Sequence, residues 1–484
     1  MSTIAFRILK NSTALVLATG MERVVTFFLT LYIARSLGRS SLGEYSLVIS
    51  FMAIFATISS FGHHVIVPRE VARHRPQAFI YLLNSSAISL VASLPSAVMM
   101  IVAAHLLNYP DRVTGYIYVI GFVLFPETLV AIGEATIQGL ERLEYVTLVR
   151  FLTSTFRVAC SLAVLHWGYG LGAVFVVWGI SQTIAFAAYI WLISRTTSAP
   201  RFHLNPSLLK NLVQSSLIFL VVSINATLFK RIDVVMLSKI GGVDAVGTYA
   251  AACKLVLTIE TMAPAFLLSV FPVMSAAFLV SKEKFEKICT ESLKLVTVVI
   301  VPIAFALCVA GRIVPMLFGK EFSDSVPVFQ VLVWMLVPGL TSSMLFRAIL
   351  ASDNEKISLL FGAVKAVVNV SLNFLLIPGY GALGASIAAV ATQSVALVQV
   401  YWFTSKRLFK IKFMEIFGKP GLCALLSGGI FFYIWRANFY ILLPFTLLIY
   451  LALLVASGVL SHRELLLLRQ LWRVTTGAQS ATLE

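Results

Sequence analysis

Seven lysines and arginines lie inside long apolar segments of this chain, where uncharged side chains would be expected. A charge at the depth of a bilayer costs on the order of 3 kcal/mol, so it usually faces a protein interior or a water-filled cavity. A guanidinium group stays charged when dehydrated and donates two parallel hydrogen bonds to phosphate oxygens. Several such cations in one membrane protein therefore predict an anionic ligand. The seven residues are Arg23, Arg157, Lys230, Arg231, Lys254, Arg312 and Lys365.

Three charged residues interrupt the apolar segment over residues 212–238. Lys230 and Asp233 are three residues apart and can pair across one helical turn, whereas Arg231 points about 100° away from Lys230. Two interpretations stay open at this stage. The group is either a structural ion pair that fixes this helix to a neighbour, or a cationic group that faces a cleft and binds phosphate.

Glu22 and Arg23 interrupt the first apolar segment at a comparable depth. Adjacent residues of a helix point in different directions, so these two side chains cannot form a close pair on one face. We predict that Arg23 either faces the cleft or forms a bridge to an acid on another helix.

Two further segments carry polar residues at helical spacing. A polar helix face cannot point toward lipid tails, because nothing there satisfies its hydrogen bonds, so both stripes are predicted to face inward. Hydrogen bonding between helices is one interpretation, and lining of a cleft that receives sugar hydroxyls is the other. The first stripe contains Arg150, Ser154, Arg157 and Ser161, and the second contains Lys365, Asn369 and Asn373.

The composition sets the class of protein. Of its 484 residues, 59% are hydrophobic and 12% are charged, and the mean hydropathy is +0.93. A soluble protein cannot bury so much apolar surface, so the bilayer must be its solvent. The net charge of +16 does not predict nucleic-acid binding, because the chain has neither a basic stripe nor a soluble domain to carry one. No phosphate-binding loop or nucleophile motif is present, which argues against an ATP-driven pump or an enzyme.

Five acids also lie in the apolar segments, among them Glu134 and Glu260. Such acids either take up protons or sodium ions as coupling ions, or neutralise buried cations. We predict ion coupling, driven by a proton or sodium gradient, at Glu22, Glu127 or Asp233. No cofactor is expected. No metal site is expected either, since the histidines and cysteines do not occur at ligand spacing.

Apolar runs of roughly 20 residues recur along the whole chain, and they predict an all-α integral membrane protein with about fourteen transmembrane helices. Most lysines and arginines outside these runs fall in segments on the side of the amino terminus. The positive-inside rule therefore places both termini in the cytoplasm. The predicted helices cover residues 14–35, 43–62, 78–105, 114–137, 145–166, 170–193, 212–238, 246–275, 291–318, 326–346, 357–377, 382–404, 420–436 and 439–460.

Two sequence motifs occur twice. LGRSSLGEY (37–45) matches GGVDAVGTY (241–249), and GYGLGA (168–173) matches GYGALGA (379–385). The glycines suit tight turns at equivalent points of two six-helix units, which would repeat in parallel about an axis along the membrane normal. The predicted divisions are a six-helix bundle at 1–200, its repeat at 201–410, two extra helices at 411–462 and a cytoplasmic tail at 463–484.

Four stretches of sequence carry a resemblance to a known family. They are LYIARSLGRSSLGEYSL (31–47), RIDVVMLSKIGGVDAVGTYAAACKL (231–255), GKEFSDS (319–325) and IPGYGALGASIA (377–388). In this order they resemble the polysaccharide-exporting, O-antigen type members of the multidrug/oligosaccharidyl-lipid/polysaccharide (MOP) flippase superfamily. The resemblance implies two bundles in a V shape, as in MATE transporters. Their central cleft would open alternately to either side and be lined by the first and seventh helices.

The resemblance also implies a substrate, which is an oligosaccharide repeat unit linked through diphosphate to a polyprenol. It would be turned from the inner to the outer leaflet of a bacterial inner membrane, for O-antigen, capsule or exopolysaccharide synthesis. Membrane lipids, a polysaccharide polymerase and chain-length proteins are the expected partners. A lipid II flippase, a MATE-type multidrug exporter and a membrane glycan polymerase or ligase are the alternatives. We assign binding of the diphosphate or of anionic sugars to Arg23, Arg157, Lys230, Arg231 and Lys365.

Overall fold

A computed structural model describes residues 3–196, 204–260, 263–354, 357–434 and 439–457. Over these residues the chain is helical, with no strand. Short 3₁₀ turns and one π-helical turn, Met414–Gly418, join some of the helices. The α-helices are α1 Thr3–Ser59, α2 His63–Arg73, α3 Ala78–Leu106, α4 Asp111–Gly139, α5 Leu143–His166, α6 Gly170–Thr196, α7 Pro206–Ile240, α8 Gly242–Glu260, α9 Ala263–Val280, α10 Lys282–Val309, α11 Ile313–Phe318, α12 Ser325–Leu332, α13 Leu336–Ala351, α14 Ile357–Arg407, α15 Lys419–Ile434 and α16 Phe439–Ala456.

Ten helices in the described part of the chain are long and apolar enough to cross a membrane. Two of them are unusually long, with 38 residues in Glu22–Ser59 and 51 residues in Ile357–Arg407. Each is interrupted by one glycine in a non-helical conformation, Gly38 (φ 81°) and Gly381 (φ 53°). Because glycine adopts positive φ at little cost, each long element consists of two helices joined at a glycine.

Most of the observed helices overlap predicted ones. The short helix α2 was not predicted, and a 3₁₀ turn at Ala310–Arg312 divides the helix predicted over 291–318. The two parts of α1 and the two parts of α14 each correspond to a predicted pair of helices. The helix predicted over 326–346 differs, because a 3₁₀ turn at Val333–Met335 separates α12 from α13. Pro338 explains this break, since a proline cannot donate a hydrogen bond to the carbonyl of Trp334. The number of fourteen membrane crossings stays a prediction, and the tail predicted at 463–484 lies outside the described residues.

The helices form two compact units. The first comprises Met1–Ala265, Arg312–Leu332 and Gly362–Thr392, and the second comprises Phe266–Gly311, Val333–Phe361 and Gln393–Glu484. Each unit is compact in space but consists of three separate stretches of the sequence, so the two units alternate along the chain. The repeat boundaries at residues 200 and 410 stay a prediction.

In the first unit, α3, α4, α5 and α6 surround an apolar core, and α1 packs against α5, α7 and α8. The core side chains are large and nearly inaccessible to solvent, so they fix the spacing of the helices that carry the candidate site. The best-buried members of this core are Ile132, Ile137, Val146, Ala185, Tyr189 and Ile193.

The repeated glycines bring α1 and α8 into close contact. A Cβ atom added to Gly43 would collide with the carbonyl oxygen of Val243, and one added to Gly247 would collide with that of Arg39. Gly43 and Gly247 are matched positions of the repeated motif, so each repeat supplies one glycine to the same crossing. Small residues of this kind allow backbones to approach closely inside a membrane.

The second unit is built around α10 and α13. Its largest core cluster includes Phe285, Met344 and Phe403. A smaller cluster holds α15 and α16 against α10, where the hydroxyl of Tyr450 donates a hydrogen bond of 3.2 Å to the carbonyl of Val298. All residues of the candidate site belong to the first unit.

Candidate functional site

A cavity in the first unit collects cations from several helices. It has a volume of about 490 Å³ and is lined by α1, α5, α6, α7 and α8, and we call it the cationic cavity. Four of the seven cations identified in the sequence lie on its wall, each on a different helix, and Arg150 lies there as well. The four are Arg23, Arg157, Arg231 and Lys254.

These cations lie close enough for their charges to act on one another. Lys254 is exposed to the positive charges of Arg23, Arg231 and Arg157. Glu22 supplies the one carboxylate among the described residues that line the cavity. Like charges repel strongly in a space of low dielectric. The cavity therefore favours an anion that neutralises them.

Arg157 is held by two partners on the cavity wall. Its guanidinium lies 3.9 Å from a carboxylate oxygen of Glu22. It also lies over the ring of Trp178, with its central carbon 5.6 Å from the ring centroid. At 3.9 Å the ion pair is longer than a good hydrogen bond, so the guanidinium retains donors that can turn toward a ligand.

A second, smaller cavity of about 330 Å³ adjoins the first and shares Glu22, Arg150 and Arg157 with it. We call it the acidic pocket, since Glu127 and Glu134 also line it. Arg150 donates two hydrogen bonds to Glu134, of 2.7 and 2.5 Å. This bidentate pair neutralises both groups.

Glu127 has different partners. It accepts a hydrogen bond of 3.1 Å from the indole nitrogen of Trp178 and another from the amide of Gln182. Over the described residues, no cation lies within ion-pair distance of its carboxylate. Glu127 is therefore held by neutral donors, so proton uptake there would leave no cation without its partner.

The predicted pair of Lys230 and Asp233 does not form between the described side chains. Asp233 instead accepts hydrogen bonds from the amide of Asn373 at 2.8 Å and from the hydroxyl of Tyr249 at 3.5 Å. Asn373 also donates to Asn369, one turn earlier on α14. This network joins α7, α8 and α14, so the second polar stripe is occupied by contacts between helices.

Lys230 and Lys365 line neither of the two cavities. The side chain of Lys230 is exposed. The ammonium nitrogen of Lys365 lies 4.0 Å from the centre of the Phe229 ring, and the charge of Glu260 acts on it. The structure thus separates these two lysines from Arg23, Arg157 and Arg231, with which the sequence grouped them.

The two serines of the first polar stripe lie in different environments. Ser154 lines the acidic pocket and donates its proton to the carbonyl of Arg150 at 2.6 Å. Ser161 is fully buried and lines neither cavity. Asn369 borders a separate apolar groove between α7 and α14.

Sequence reasoning left Lys254 without a role, and it did not consider Trp178 or Gln182. A signal for Lys254 was available, because the residue lies five positions after Tyr249 of the repeated motif and therefore matches Ser50, five positions after Tyr45. Ser50 and Lys254 both line the cationic cavity. No comparable signal marks Trp178.

His63 is buried at the start of α2, outside the candidate membrane spans. Its Nδ1 lies 3.1 Å from the hydroxyl of Ser89. Burial, with a smaller contribution from His64, lowers the pKa of His63 to about 4, so its ring is neutral near pH 7. Over the described residues, no group of three or more histidine, cysteine or acidic side chains is arranged to hold a metal ion.

Comparison with known families gives two overlapping matches. Residues 8–278 match the family described as polysaccharide biosynthesis protein. Residues 151–459 match the family described as lipid II flippase MurJ. Each match spans more than half of the 484 residues.

Similar proteins and structures agree with these matches. The chain is 22% identical to the "Probable low-salt glycan biosynthesis flippase Agl15" of Haloferax volcanii, over 93% of both chains. It shares its fold with lipid II flippase MurJ in an inward closed conformation, with a TM-score of 0.73 and 13% identity over 91% of this chain and 97% of that one.

An inward-facing MATE family transporter of the MOP superfamily matches with a TM-score of 0.67 and 17% identity, over 80% of this chain and 94% of that one. Because the sequence identities are this low, the two structural matches show a shared fold and do not show a shared function. The family matches go further, since each spans more than half of the chain. The protein is a multi-pass membrane protein of the MOP flippase superfamily, which comprises transporters rather than enzymes.

Proposed function

We propose that this protein flips polyprenyl-diphosphate-linked oligosaccharide repeat units from the inner to the outer leaflet, by alternating access through the cationic cavity. The observation that carries the proposal is the charge of this cavity, where five cations and one carboxylate line a volume of about 490 Å³, and only Arg150 among these cations makes a bidentate pair with a carboxylate. Ligand pockets generally measure about 300–1,000 Å³. The cavity is thus large enough for the diphosphate and the sugar next to it.

The chemistry of the wall suits a diphosphate. Arg23, Arg157 and Arg231 offer guanidinium forks, which match phosphate oxygens two at a time. Lys254 adds a more compact charge. Because the surroundings are apolar, each charge acts in a low dielectric and attracts an anion more strongly than it would in water.

The finer architecture is part of the proposal. The two long helices broken at Gly38 and Gly381 would each cross the membrane twice, and α15 and α16 would add two crossings to the ten apolar helices. The result is fourteen crossings, two parallel six-helix repeats and both termini in the cytoplasm of a bacterium. Gly43 and Gly247, which are matched positions of the two repeats, lie at the same contact between α1 and α8. This contact supports the proposed repeat.

The energy source is also proposed. A proton or sodium gradient would drive transport, with Glu22, Glu127 or Asp233 as the coupling carboxylate. The neutral partners of Glu127 favour it as a proton carrier. A polymerase and chain-length proteins would consume the exported units.

The charge of the cavity can be compared with the charge that two other functions would require. A lipid II flippase is favoured by the match over residues 151–459 and by the shared fold, and its substrate also carries a polyprenyl diphosphate. A multidrug exporter of cationic compounds would need an acidic cavity. The wall has the opposite charge.

The first experiment removes single charges from the cavity. In a strain that lacks the chromosomal gene, Arg23→Gln and Arg231→Gln should each lower glycan export roughly 10- to 100-fold, since a hydrogen bond to a charged group contributes about 1.5–3 kcal/mol. Lipid-linked repeat units should accumulate on the inner leaflet. Lys284→Gln, which removes an exposed cation near the start of α10, is the control and should export normally. Normal export by stable Arg23→Gln and Arg231→Gln proteins would contradict the proposal.

The second experiment separates the two glycolipids. The gene is expressed in cells depleted of their own lipid II flippase, and growth is measured. We expect no rescue of growth, together with restored polysaccharide export in the deletion strain. Rescue of growth without polysaccharide export would favour lipid II as the substrate.

A further inference from the structure

The segment that joins α14 to α15 carries a dense group of exposed cations. It covers residues 406–419, and we call it the basic connector. Five cations against one acid, Glu415, leave it with a net charge of +4. All five cationic residues are exposed, so their charges are turned outward from the second unit. They are Lys406, Arg407, Lys410, Lys412 and Lys419.

Buried apolar side chains hold the basic connector against the second unit. Phe409, Ile411 and Ile416 are at most 7% exposed and belong to the largest core cluster of this unit. The ring of Phe409 also packs against Phe285 of α10, with the two ring centroids 5.9 Å apart. The connector is therefore a fixed surface of the second unit, and its cations occupy defined positions on it.

Exposed apolar side chains lie beside the cations. Phe413 and Met414 are 53% and 63% exposed, and they follow Lys412 directly in the sequence. Trp402, near the end of α14, is 58% exposed, and the ammonium nitrogen of Lys406 lies 4.9 Å from the centre of a Trp402 ring. Exposure of such side chains to water is unfavourable. The boundary between lipid headgroups and acyl chains, by contrast, accommodates aromatic rings and lysines side by side.

The neighbours of the basic connector in the chain place it at a membrane surface. The long apolar helix Ile357–Arg407 ends within it, and the apolar helix α15 begins at its last residue. So many charges cannot enter the hydrocarbon between these helices, so the connector lies at the level of the headgroups. In the proposed topology this surface is the cytoplasmic one, which is rich in anionic lipids.

We propose that the basic connector is a binding site for anionic phospholipids, in which Arg407 and Lys410 contact the headgroup phosphate while Phe413 and Met414 enter the acyl region. Among the described residues, Lys412 is the one connector cation with an acid at ion-pair distance, so Arg407 and Lys410 can both turn to a phosphate. The apolar neighbours favour a lipid over a free anion. The inference is independent of the proposed function, because no residue of the connector lines the cationic cavity.

The test measures lipid binding to the full chain in detergent by native mass spectrometry. The probes are phosphatidylglycerol, which is anionic, and phosphatidylcholine, which has no net charge. Each basic residue near an anionic lipid surface strengthens the attraction about fivefold. The wild-type protein should therefore bind phosphatidylglycerol at least about tenfold more tightly than phosphatidylcholine. Equal affinities for the two lipids would overturn the inference.

A double variant assigns this preference to the basic connector. Arg407→Gln combined with Lys410→Gln changes two exposed side chains and should weaken binding of phosphatidylglycerol about tenfold or more. Its affinity for phosphatidylcholine should not change. Lys284→Gln combined with Lys287→Gln is the matched control, because it removes two exposed lysines from the start of α10, where acids alternate with them. The control should bind phosphatidylglycerol as the wild type does. An equal loss in both double variants, or no loss in the first, would overturn the inference.

A further comparison separates a lipid from a free anion. Phe413→Ser combined with Met414→Ser keeps every cation of the connector and should weaken binding of phosphatidylglycerol severalfold. Inorganic phosphate at millimolar concentration and constant ionic strength should not displace the lipid from the wild-type protein. Displacement by inorganic phosphate, together with unchanged lipid binding by the serine variant, would identify the connector as a site for a free anion and contradict the lipid assignment.

Discussion

At the scale of single residues, the buried cations divide by how completely they are neutralised. Arg150 makes a bidentate pair with Glu134, whereas the contact of Arg157 with Glu22 is 3.9 Å long. Separating a buried charge from its partner is costly. Arg150 therefore holds α4 and α5 together, whereas Arg157, with its longer contact to Glu22, is the better candidate for the ligand binding that we propose.

This division predicts the effect of removing Glu134. Glu134→Gln removes the carboxylate that is hydrogen-bonded to the largely buried guanidinium of Arg150, so it should lower the free energy of unfolding by about 3 kcal/mol. The measurement is thermal unfolding of the purified protein in detergent. Glu141→Gln is the matched control, because Glu141 forms an ion pair of 2.7 Å with Arg75 in which both side chains are about half exposed. An exposed pair contributes about 1 kcal/mol or less. Equal losses of stability in the two variants would therefore contradict the interpretation of Arg150 and Glu134 as a buried structural pair.

Residue types and spacing differ in how well they predict position and partners. Arg23, Arg157 and Arg231, predicted from their charges to face inward, lie on the wall of one cavity, and anion binding there stays a prediction. The partner of Asp233 was not predictable from spacing, because Asn373 lies 140 residues away in the sequence. Local spacing suggested Lys230 instead, since i,i+3 contacts are the ones that a single helix reveals.

At the scale of helices, the glycines of the repeated motif do two different things. Gly38 breaks α1 with a positive φ, whereas Gly43 keeps a helical conformation and lets α8 approach. The sequence predicted both as turn glycines. Only the packing of α1 against α8 distinguishes them, because a close approach between helices leaves no mark in the sequence of either one.

The close approach predicts that a single methyl group will be harmful. Gly43→Ala places a Cβ against backbone atoms of Val243 and Gly247, which cannot rotate away as a side chain can. Overpacking of this kind costs about 1–3 kcal/mol. The thermal unfolding midpoint in detergent should fall, and α1 should separate from α8.

Gly115→Ala is the control for this substitution. Gly115 lies in α4 with no atom within 4 Å of an added Cβ. Alanine favours the helix by up to about 1 kcal/mol over glycine, so this variant should be as stable as the wild type or slightly more stable. A similar loss of stability in both variants would show that replacing any glycine is destabilising, and that the close contact between α1 and α8 is not the cause.

At the scale of the whole molecule, the broken helix α1 decides the topology. The 38 residues of Glu22–Ser59 would be about 57 Å long as one straight helix at 1.5 Å per residue. The hydrocarbon core is only about 30 Å thick. The whole of α1, Thr3–Ser59, has 57 residues. Gly38 divides it into parts of about 52 and 32 Å at 1.5 Å per residue, so each part is long enough for one crossing.

This geometry predicts opposite exposure of two positions in a cysteine-free background. Ser40 follows the break in α1, and Gln77 precedes α3; both side chains are exposed. If the amino terminus lies in the cytoplasm as proposed, Ser40→Cys should react with a membrane-impermeant maleimide in intact cells, and Gln77→Cys only after lysis. If α1 crossed the membrane once, Ser40 would lie within the bilayer and stay unlabelled, and Gln77 would react from outside. Because every later crossing inherits its direction from α1, this one comparison tests the orientation of all the helices that follow.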